Sequence, residues 1–190
     1  MNRLLGLALS LLLAVPTWAQ RVYHGDGPDD ALRFVPVVAA YALKVCGMES
    51  ESSWKRLAVN TTMSYAFSVG TTWALKHSIH ERRPDWTDNR SFPSGHTALA
   101  FTGAVILDKE YRHVSPWISV AGYAVATGVA VDRVARNRHA WQDVTAGAAI
   151  GVGSTLFGYW LGDKITGEHS RYALTTDGQS LSLCIQFFNK

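Results

Sequence analysis

Two stretches of the sequence, residues 57–75 and 144–162, run for 19 residues each without a charged side chain. A helix of this length rises about 28 Å, close to the roughly 30 Å of a bilayer's hydrocarbon core. Both stretches are rich in Gly, Ala, Ser and Thr, and the second carries two Gly-x-x-x-Gly pairs, Gly147/Gly151 and Gly158/Gly162. Small residues at this spacing share one helix face and let a neighbouring helix approach closely. The pattern predicts long, closely packed helices, in a membrane or in a soluble bundle.

Five helices are predicted in all, because each apolar segment is long, has no proline beyond its first turns and shows no strand-like alternation. They run approximately over residues 31–48, 53–76, 95–111, 116–131 and 141–164. Charged residues make up 17% of the chain, below the usual quarter or so of a soluble domain. The fold class that follows is all-α, a membrane-embedded helical bundle.

The first residues have the pattern of an export signal. Arg3 is followed by an apolar run over residues 4–15 and by the small-x-small sequence Thr17-Trp18-Ala19. This arrangement is typical of a cleaved signal peptide over residues 1–19. An uncleaved anchoring helix is the alternative, and either one sends the chain across a membrane. The bundle domain is then expected over residues 20–164.

The C-terminal residues 165–190 differ in character from the helical domain. Side chains alternate around Asp177-Gly178, which predicts a small β-hairpin in this tail. The chain has two cysteines, Cys46 in an apolar helical run and Cys184 in the tail. We expect two buried free thiols rather than a disulfide.

Three short clusters carry side chains suited to binding phosphate. They are Lys76-x₆-Arg83-Pro84, Pro93-Ser94-Gly95-His96 and Arg133-x₅-His139-x₃-Asp143. Singly, each has a structural explanation, such as a helix cap or an i,i+4 pair on a helix surface. If the helices alternate in direction, however, all three lie at one end of the bundle. Further arginines fall at the same end: Arg82, Arg90, Arg136 and Arg138.

If the N-terminus of the mature chain lies outside the membrane, this end of the bundle also faces outward. Its positive charge then indicates an anionic ligand, because Lys and Arg otherwise tend to stay on the cytoplasmic side of a membrane. A phosphoryl group in transfer spreads negative charge over its oxygens, so catalysis relies on positioning and charge stabilisation. Lys76, Arg83 and Arg133 are the predicted cationic ligands. The Ser94 hydroxyl and the Gly95 N–H add donors at a helix N-terminus.

Two histidines are the candidates for the chemistry itself. Asp143 lies one turn after His139 and can accept its Nδ1–H, which leaves Nε2 free to attack phosphorus. His96 then protonates the departing oxygen and later activates water on the phosphohistidine. Because Lys76, Arg83 and Arg133 are expected to stabilise the negative charge of the phosphoryl group, neither a metal nor another cofactor is required.

Nucleic acid is not an expected partner. The net charge is +3, and no basic stripe with interleaved aromatic residues occurs. The expected partners are a membrane and a phosphorylated lipid.

In order and spacing, the three clusters resemble the signature of the type 2 phosphatidic acid phosphatase superfamily, K-x₆-R-P, P-S-G-H and S-R-x₅-H-x₃-D. The one departure is Asp132, where the family has Ser before the arginine. The resemblance covers about residues 53–164. It implies an all-helical bundle of the type shared with vanadium haloperoxidases, metal-independent phosphate ester hydrolysis and a phosphohistidine intermediate.

The expected substrate is a lipid phosphate: lipid A, phosphatidic acid, phosphatidylglycerol phosphate or a polyprenyl diphosphate. The expected location is the bacterial inner membrane with the site facing the periplasm. Three alternatives stay open. They are a soluble periplasmic acid phosphatase, a vanadium haloperoxidase in which the same side chains hold vanadate, and a non-catalytic membrane protein that binds phosphorylated lipid.

Overall fold

A computed structural model describes residues 27–168 and two short strands at residues 172–176 and 181–185. The predicted signal peptide over residues 1–19 and the Asp177-Gly178 turn lie outside the described residues. The helices, in chain order, are α1 (Pro28–Leu32), α2 (Val35–Val45), α3 (Trp54–Ser78), α4 (Gly95–Tyr111), α5 (Pro116–Ala135) and α6 (Trp141–Thr166). The strands are β1 (Tyr172–Thr176) and β2 (Leu181–Ile185), which pair antiparallel with Tyr172 opposite Ile185.

The last four predicted helices are present as α3 to α6, with ends within a few residues of the expected ones. The first predicted helix, over residues 31–48, is instead divided into α1 and α2 at Arg33 and Phe34. Pro36 explains the break, because proline lacks an N–H and is tolerated only in the first turn of a helix. The chain therefore ends α1 and starts a new helix at Val35.

The helix α2 departs from the predicted helix in two further ways. With 11 residues, α2 rises only about 16 Å, roughly half the thickness of a bilayer core. The helix is too short to cross a membrane on its own. The expected burial of Cys46 is also wrong, because this residue lies exposed just after the end of α2.

Two of the described helices, α5 and α6, are long and apolar enough to cross a membrane, judged by length and composition. The second of them contains the charge-free stretch 144–162 recognised in the sequence. The other such stretch lies in α3, which has the length for a crossing at 25 residues. Its Ser, Thr and Asn side chains make it less apolar than α5 and α6.

The helix α4 lies at the centre of the bundle, in contact with α2, α3, α5 and α6. Nearly all of its residues from Thr97 to Tyr111 are buried. Small side chains make this packing close, and the glycines of α6 are the clearest case. A Cβ atom built on Gly147 would lie 2.5 Å from the Ser94 carbonyl oxygen, and one on Gly158 would lie 2.5 Å from Ser64 Oγ. The predicted glycine face therefore packs on α4 in its first half and on α3 in its second.

A buried polar cluster fixes how the helices meet at one end of the bundle. Glu110 of α4 accepts hydrogen bonds from Ser52 Oγ at 2.6 Å and from the Tyr159 hydroxyl at 2.8 Å. Arg56 of α3 makes a bidentate ion pair with Asp163 of α6, at 2.8 and 3.1 Å. The start of α3 and the ends of α4 and α6 are thereby held together. The end of α3, the start of α4, the end of α5 and the start of α6 consequently meet at the opposite end.

The glycine packing predicts unequal effects for two substitutions in the same helix. Gly158→Ala places a methyl group against the backbone of Ser64, so we expect the free energy of unfolding to fall by about 1–3 kcal/mol. Gly153 is the matched control, since a Cβ there meets nothing within 4 Å. Gly153→Ala should be neutral or stabilising by up to about 1 kcal/mol. Thermal unfolding of the two variants in detergent measures the difference, and equal melting temperatures would contradict the packing.

Candidate active site

The three sequence clusters meet at the end of the bundle opposite the Glu110 cluster. They border a cavity of about 380 Å³. The predicted site residues that line it are Lys76, Arg83, Gly95, His96, Arg133 and His139. Asp143 lies behind His139, and the Ser94 hydroxyl pairs with Thr97 Oγ1 at 3.0 Å. The apolar part of the wall comes from Val69, Trp73 and Leu99.

His139 lies in the loop between α5 and α6, with a side chain only 2% exposed. Its Nδ1 atom is 3.2 Å from Asp143 Oδ2, and its Nε2 atom is 3.2 Å from Nη1 of Arg83. A carboxylate accepts and a guanidinium only donates, so these two partners require the proton on Nδ1 and a lone pair on Nε2. The surroundings therefore select the tautomer that presents an unprotonated nitrogen at the cavity.

Asp143 is held in place by more than the histidine. The same oxygen, Oδ2, accepts from the Ala140 N–H at 3.0 Å and from the Ser91 hydroxyl. The carboxylate is fully buried, and the Ser94 N–H donates to the Asp143 carbonyl at 3.0 Å. Ser91 thus joins the loop before α4 to the start of α6. It is a member of the site that the three sequence motifs do not contain.

Burial lowers the pKa of His139 to about 4. The hydrogen bond that His139 donates to Asp143 opposes this shift, whereas the positive charges of Arg83, Arg133 and Lys76 add to it. At neutral pH the imidazole is therefore uncharged. An uncharged imidazole whose Nε2 carries a lone pair is the form that acts as a nucleophile.

Lys76 and Gly95 lie side by side at the meeting of α3 and α4. The Lys76 ammonium donates to the carbonyl oxygens of Arg90 at 2.8 Å and Ser91 at 3.2 Å, which fastens the loop before α4 to the end of α3. A Cβ at Gly95 would make only ordinary contact, 3.4 Å from Thr72 and 4.0 Å from Lys76. Protein packing alone therefore does not demand a glycine here.

Arg133 is anchored from the N-terminal side of the chain. Its Nη1 atom donates to Asp29 Oδ2 at 2.7 Å, and Nη1 of Arg136 donates to Asp29 Oδ1 at 2.5 Å. The Asp29 side chain is fully buried. Nε of Arg133 is buried without a hydrogen-bond partner among the described residues. Since buried donors are nearly always satisfied, this nitrogen is suited to an oxygen of a bound anion.

His96 is held by Asp30, the residue that follows Asp29 in α1. Its Nε2 atom lies 2.7 Å from Asp30 Oδ1 and 2.8 Å from Nη1 of Arg33. The sequence motifs do not indicate Asp29, Asp30 or Arg33. An acidic pair after Pro28 has the ordinary pattern of a helix start, and nothing local shows that it reaches a histidine 66 residues later.

Asp132, the departure from the family signature, has a partner of its own. Its Oδ2 atom is 3.4 Å from Nη1 of Arg136, the guanidinium that also contacts Asp29. Arg136 therefore offsets the charge of this extra carboxylate.

One group of side chains near the cavity has the spacing of a cation site. The carboxylate and imidazole atoms of Asp29, Asp30 and His96 lie within 4.8 Å of one another. Both oxygens of Asp29 already accept from arginines, and Oδ1 of Asp30 is paired with His96. The negative charge is thus compensated by the protein, a poor arrangement for a resident metal ion.

Sequence comparison gives the family of this site. The family model described as the PAP2 superfamily matches residues 57–166, more than half of the chain. The chain belongs to the PAP2 superfamily. The PAP2 match contains all three motifs, and the resemblance seen in the sequence is confirmed. The helix α1, with Asp29 and Asp30, lies outside the matched residues.

Individual PAP2 relatives extend the comparison. A lipid A 1-phosphatase from Porphyromonas gingivalis is 39% identical over 145 residues, which are 76% of this chain and 33% of the relative. The chain thus spans about one third of that protein's length. The crystal structure of Aquifex aeolicus LpxE has a TM-score of 0.54 and 21% identity, over 80% of this chain and 93% of that chain. This likeness confirms the predicted all-helical bundle. A transmembrane PAP2 type phosphatidylglycerolphosphate phosphatase from Bacillus subtilis has a TM-score of 0.42 and 20% identity, over 87% and 98% of the two chains.

The environment of His139 predicts an unusual titration. Because burial and nearby cations lower its pKa to about 4, His139 should remain neutral from pH 8 down to about pH 5, where a free histidine with a pKa near 6.5 is mostly protonated. Hydrogen–deuterium exchange at the imidazole C2 position, followed by mass spectrometry, measures this midpoint. The Asp143→Asn variant should titrate at still lower pH, because the ionised carboxylate favours protonation. A midpoint near 6.5 would contradict the buried, cation-flanked position.

Proposed function

We propose that the chain is a lipid phosphatase that works through a phosphohistidine on His139. One observation carries the proposal: a single cavity is lined by a neutral, oriented imidazole, by an apolar wall and by the three predicted cationic ligands Lys76, Arg83 and Arg133. The cationic part fits a phosphate group. The apolar part fits the hydrocarbon of the molecule to which the phosphate is attached.

In the first step, Lys76, Arg83 and Arg133 hold the phosphate oxygens, and Nε2 of His139 attacks phosphorus from the side opposite the ester oxygen. The N–P bond forms as the P–O bond to the lipid breaks, and His96 gives its proton to the departing oxygen. Negative charge on the equatorial oxygens is stabilised by the cations already in place. His139 becomes positively charged, and the buried Asp143 carboxylate stabilises that charge.

In the second step, His96, now neutral, takes a proton from a water molecule. The water oxygen attacks phosphorus, the N–P bond breaks, and inorganic phosphate leaves with His139 neutral again. His96 has regained its proton, so both histidines return to their starting forms. This alternation of acid and base roles follows from microscopic reversibility and needs no other group.

The apolar wall of the cavity favours a lipid substrate over a small water-soluble ester. Val69 and Trp73 lie on α3, more than half exposed at 52% and 63%, beside Leu99 of α4. The short helix α2 packs lower on α4, with Pro36 near Gly103 and Ala40 bonded to Tyr111. The upper part of the α3–α4 face is therefore open to a chain of methylenes.

Two further features support the choice of substrate and place. The relative with 39% identity is named for removing the 1-phosphate of lipid A, so lipid A is our first candidate substrate. The long apolar helices α5 and α6 suit an integral membrane protein. We propose the inner membrane of a bacterium, with the cavity facing the periplasm and residues 1–19 acting as the export signal.

The proposal predicts metal-independent release of inorganic phosphate. The detergent-solubilised chain, in EDTA, should hydrolyse at least one member of a panel of lipid A, phosphatidic acid, phosphatidylglycerol phosphate and polyprenyl diphosphate. Release only from water-soluble esters would favour a soluble acid phosphatase. Loss of all activity in EDTA would contradict the metal-free mechanism.

Substitution of the nucleophile should separate catalysis from binding. We expect His139→Ala to lower the rate of phosphate release by at least about 10³-fold, because no other group can form the N–P bond. His80→Ala, an exposed histidine of the same region, is the control and should keep full activity. Rapid quenching of the active chain with ³²P-labelled substrate should trap acid-labile label on His139. An active enzyme without such label would leave direct attack by water as the mechanism.

A further inference from the structure

From the contacts of α1 we infer that Asp30 is a positioning residue for the acid–base histidine, holding Nε2 of His96 so that Nδ1 is the nitrogen that exchanges protons with substrate. The inference rests on the proposed function and adds to it an element outside the PAP2 match. It assigns a role in the reaction to the helix Pro28–Leu32.

The first observation is that α1 is firmly docked on the site. Asp29 is fully buried and bonded to both Arg133 and Arg136, at 2.7 and 2.5 Å. A Cβ built on Gly27 would overlap Nη1 of Arg136, so the backbone before α1 lies directly against this ion pair. The buried pair fixes the position of the next residue, Asp30, relative to His96.

The second observation is the contact itself. Asp30 Oδ1 is 2.7 Å from His96 Nε2, the length of a charge-assisted hydrogen bond. The hydrogen bond to His96 is the main cause that lowers the pKa of Asp30 below its ordinary value. Asp30 is therefore an ionised acceptor at neutral pH, and Nε2 carries the proton. The remaining ring nitrogen, Nδ1, is the one left for the leaving oxygen and for water.

Arg33 competes with Asp30 for Nε2 of His96. Its Nη1 atom, 2.8 Å from Nε2, can bond only to a lone pair there, whereas Asp30 requires a proton. The protonated, acid form of His96 can keep the Asp30 bond and must lose the Arg33 bond. Asp30 thus favours the form that donates a proton, and Arg33 opposes it.

The charges that face His96 are nearly balanced. They are Asp29 and Asp30 from α1, Arg33 just after α1 and Arg133 from α5. Replacing Asp30 with a neutral residue leaves a net positive surrounding. The imidazole then gives up its proton at a lower pH, so the alkaline side of the pH–rate profile should move to lower pH.

The test compares two substrates on the full-length chain in detergent. Dioctanoyl phosphatidic acid has an alkyl leaving group that needs protonation, and 4-nitrophenyl phosphate has one that leaves readily as an anion. We expect Asp30→Asn to lower kcat/KM for the alkyl substrate by about 10- to 100-fold, with the alkaline limb shifted to lower pH. kcat/KM for the aryl substrate, which reports only the steps up to P–O cleavage, should change less than about threefold.

Two controls separate positioning from folding. Inhibition by inorganic phosphate should be unchanged in Asp30→Asn, because the cationic part of the cavity is intact. Glu168→Gln makes the same carboxylate-to-amide change near the end of α6, away from the cavity. This variant should leave kcat/KM unchanged for both substrates. In a double-mutant cycle, adding Asp30→Asn to His96→Ala should cost nothing further, since the two residues act as one unit.

Several results would overturn the inference. Equal losses on both substrates, or weaker phosphate inhibition, would mean that Asp30 supports the site as a whole. Multiplicative losses in the double mutant would mean that it acts apart from His96. An active wild type with an unaffected Asp30→Asn variant removes the inference and leaves the proposed function standing. A wild type that releases no phosphate from either substrate, or from any lipid of the panel above, overturns both.

Discussion

The close approach of α6 to α3 and α4 is the constraint on which the rest of the structure depends. Gly147 lets the first turns of α6 lie against the Ser94 carbonyl, and that contact also brings the Asp143 carbonyl within 3.0 Å of the Ser94 N–H. The same packing therefore joins the His139 motif to the Ser94–His96 motif. With a larger side chain at residue 147 the two helix starts would separate, and the proposed nucleophile His139 would move away from the proposed acid His96. Helix packing and the geometry of the proposed site therefore depend on the same contact.

Buried charges at the two ends of the bundle serve different purposes. At the end away from the cavity, Arg56 and Asp163 pair with each other, and the Glu110 carboxylate is bonded to Ser52 and Tyr159. Buried ions are costly unless paired, so this cluster fixes helix register without offering a site. At the cavity end, Arg133 keeps Nε unpartnered within the described chain although Asp29 takes another of its nitrogens. An incompletely satisfied cation beside a neutral nucleophile is what an anionic substrate requires.

Much of this arrangement was predictable from the sequence, and most of what was missed depends on tertiary contacts. Long apolar segments and the glycine face predicted the helices α3 to α6. The motif spacing predicted site residues that line the cavity. Both signals are local or periodic. The exposure of Cys46 and the contacts of Asp29 and Asp30 depend on tertiary packing, whereas the break at Arg33 is a local effect of Pro36. No spacing rule connects an acid in a five-residue helix to a histidine in α4, because the connection exists only after α1 has docked on α5.

The two histidines of the site illustrate how environment assigns chemical roles. His139 is 2% exposed and faces one carboxylate, Asp143, against three cations, so protonation is strongly disfavoured. His96 is 22% exposed and faces two carboxylates, at 2.7 and 3.6 Å, against two guanidiniums. Burial lowers the pKa of both histidines, and at His96 the carboxylates of Asp30 and Asp29 oppose this shift. In the proposed mechanism these surroundings suit His96 to act as acid and His139 as nucleophile. Both carboxylates beside His96 come from α1, which links this short helix to the proposed chemistry.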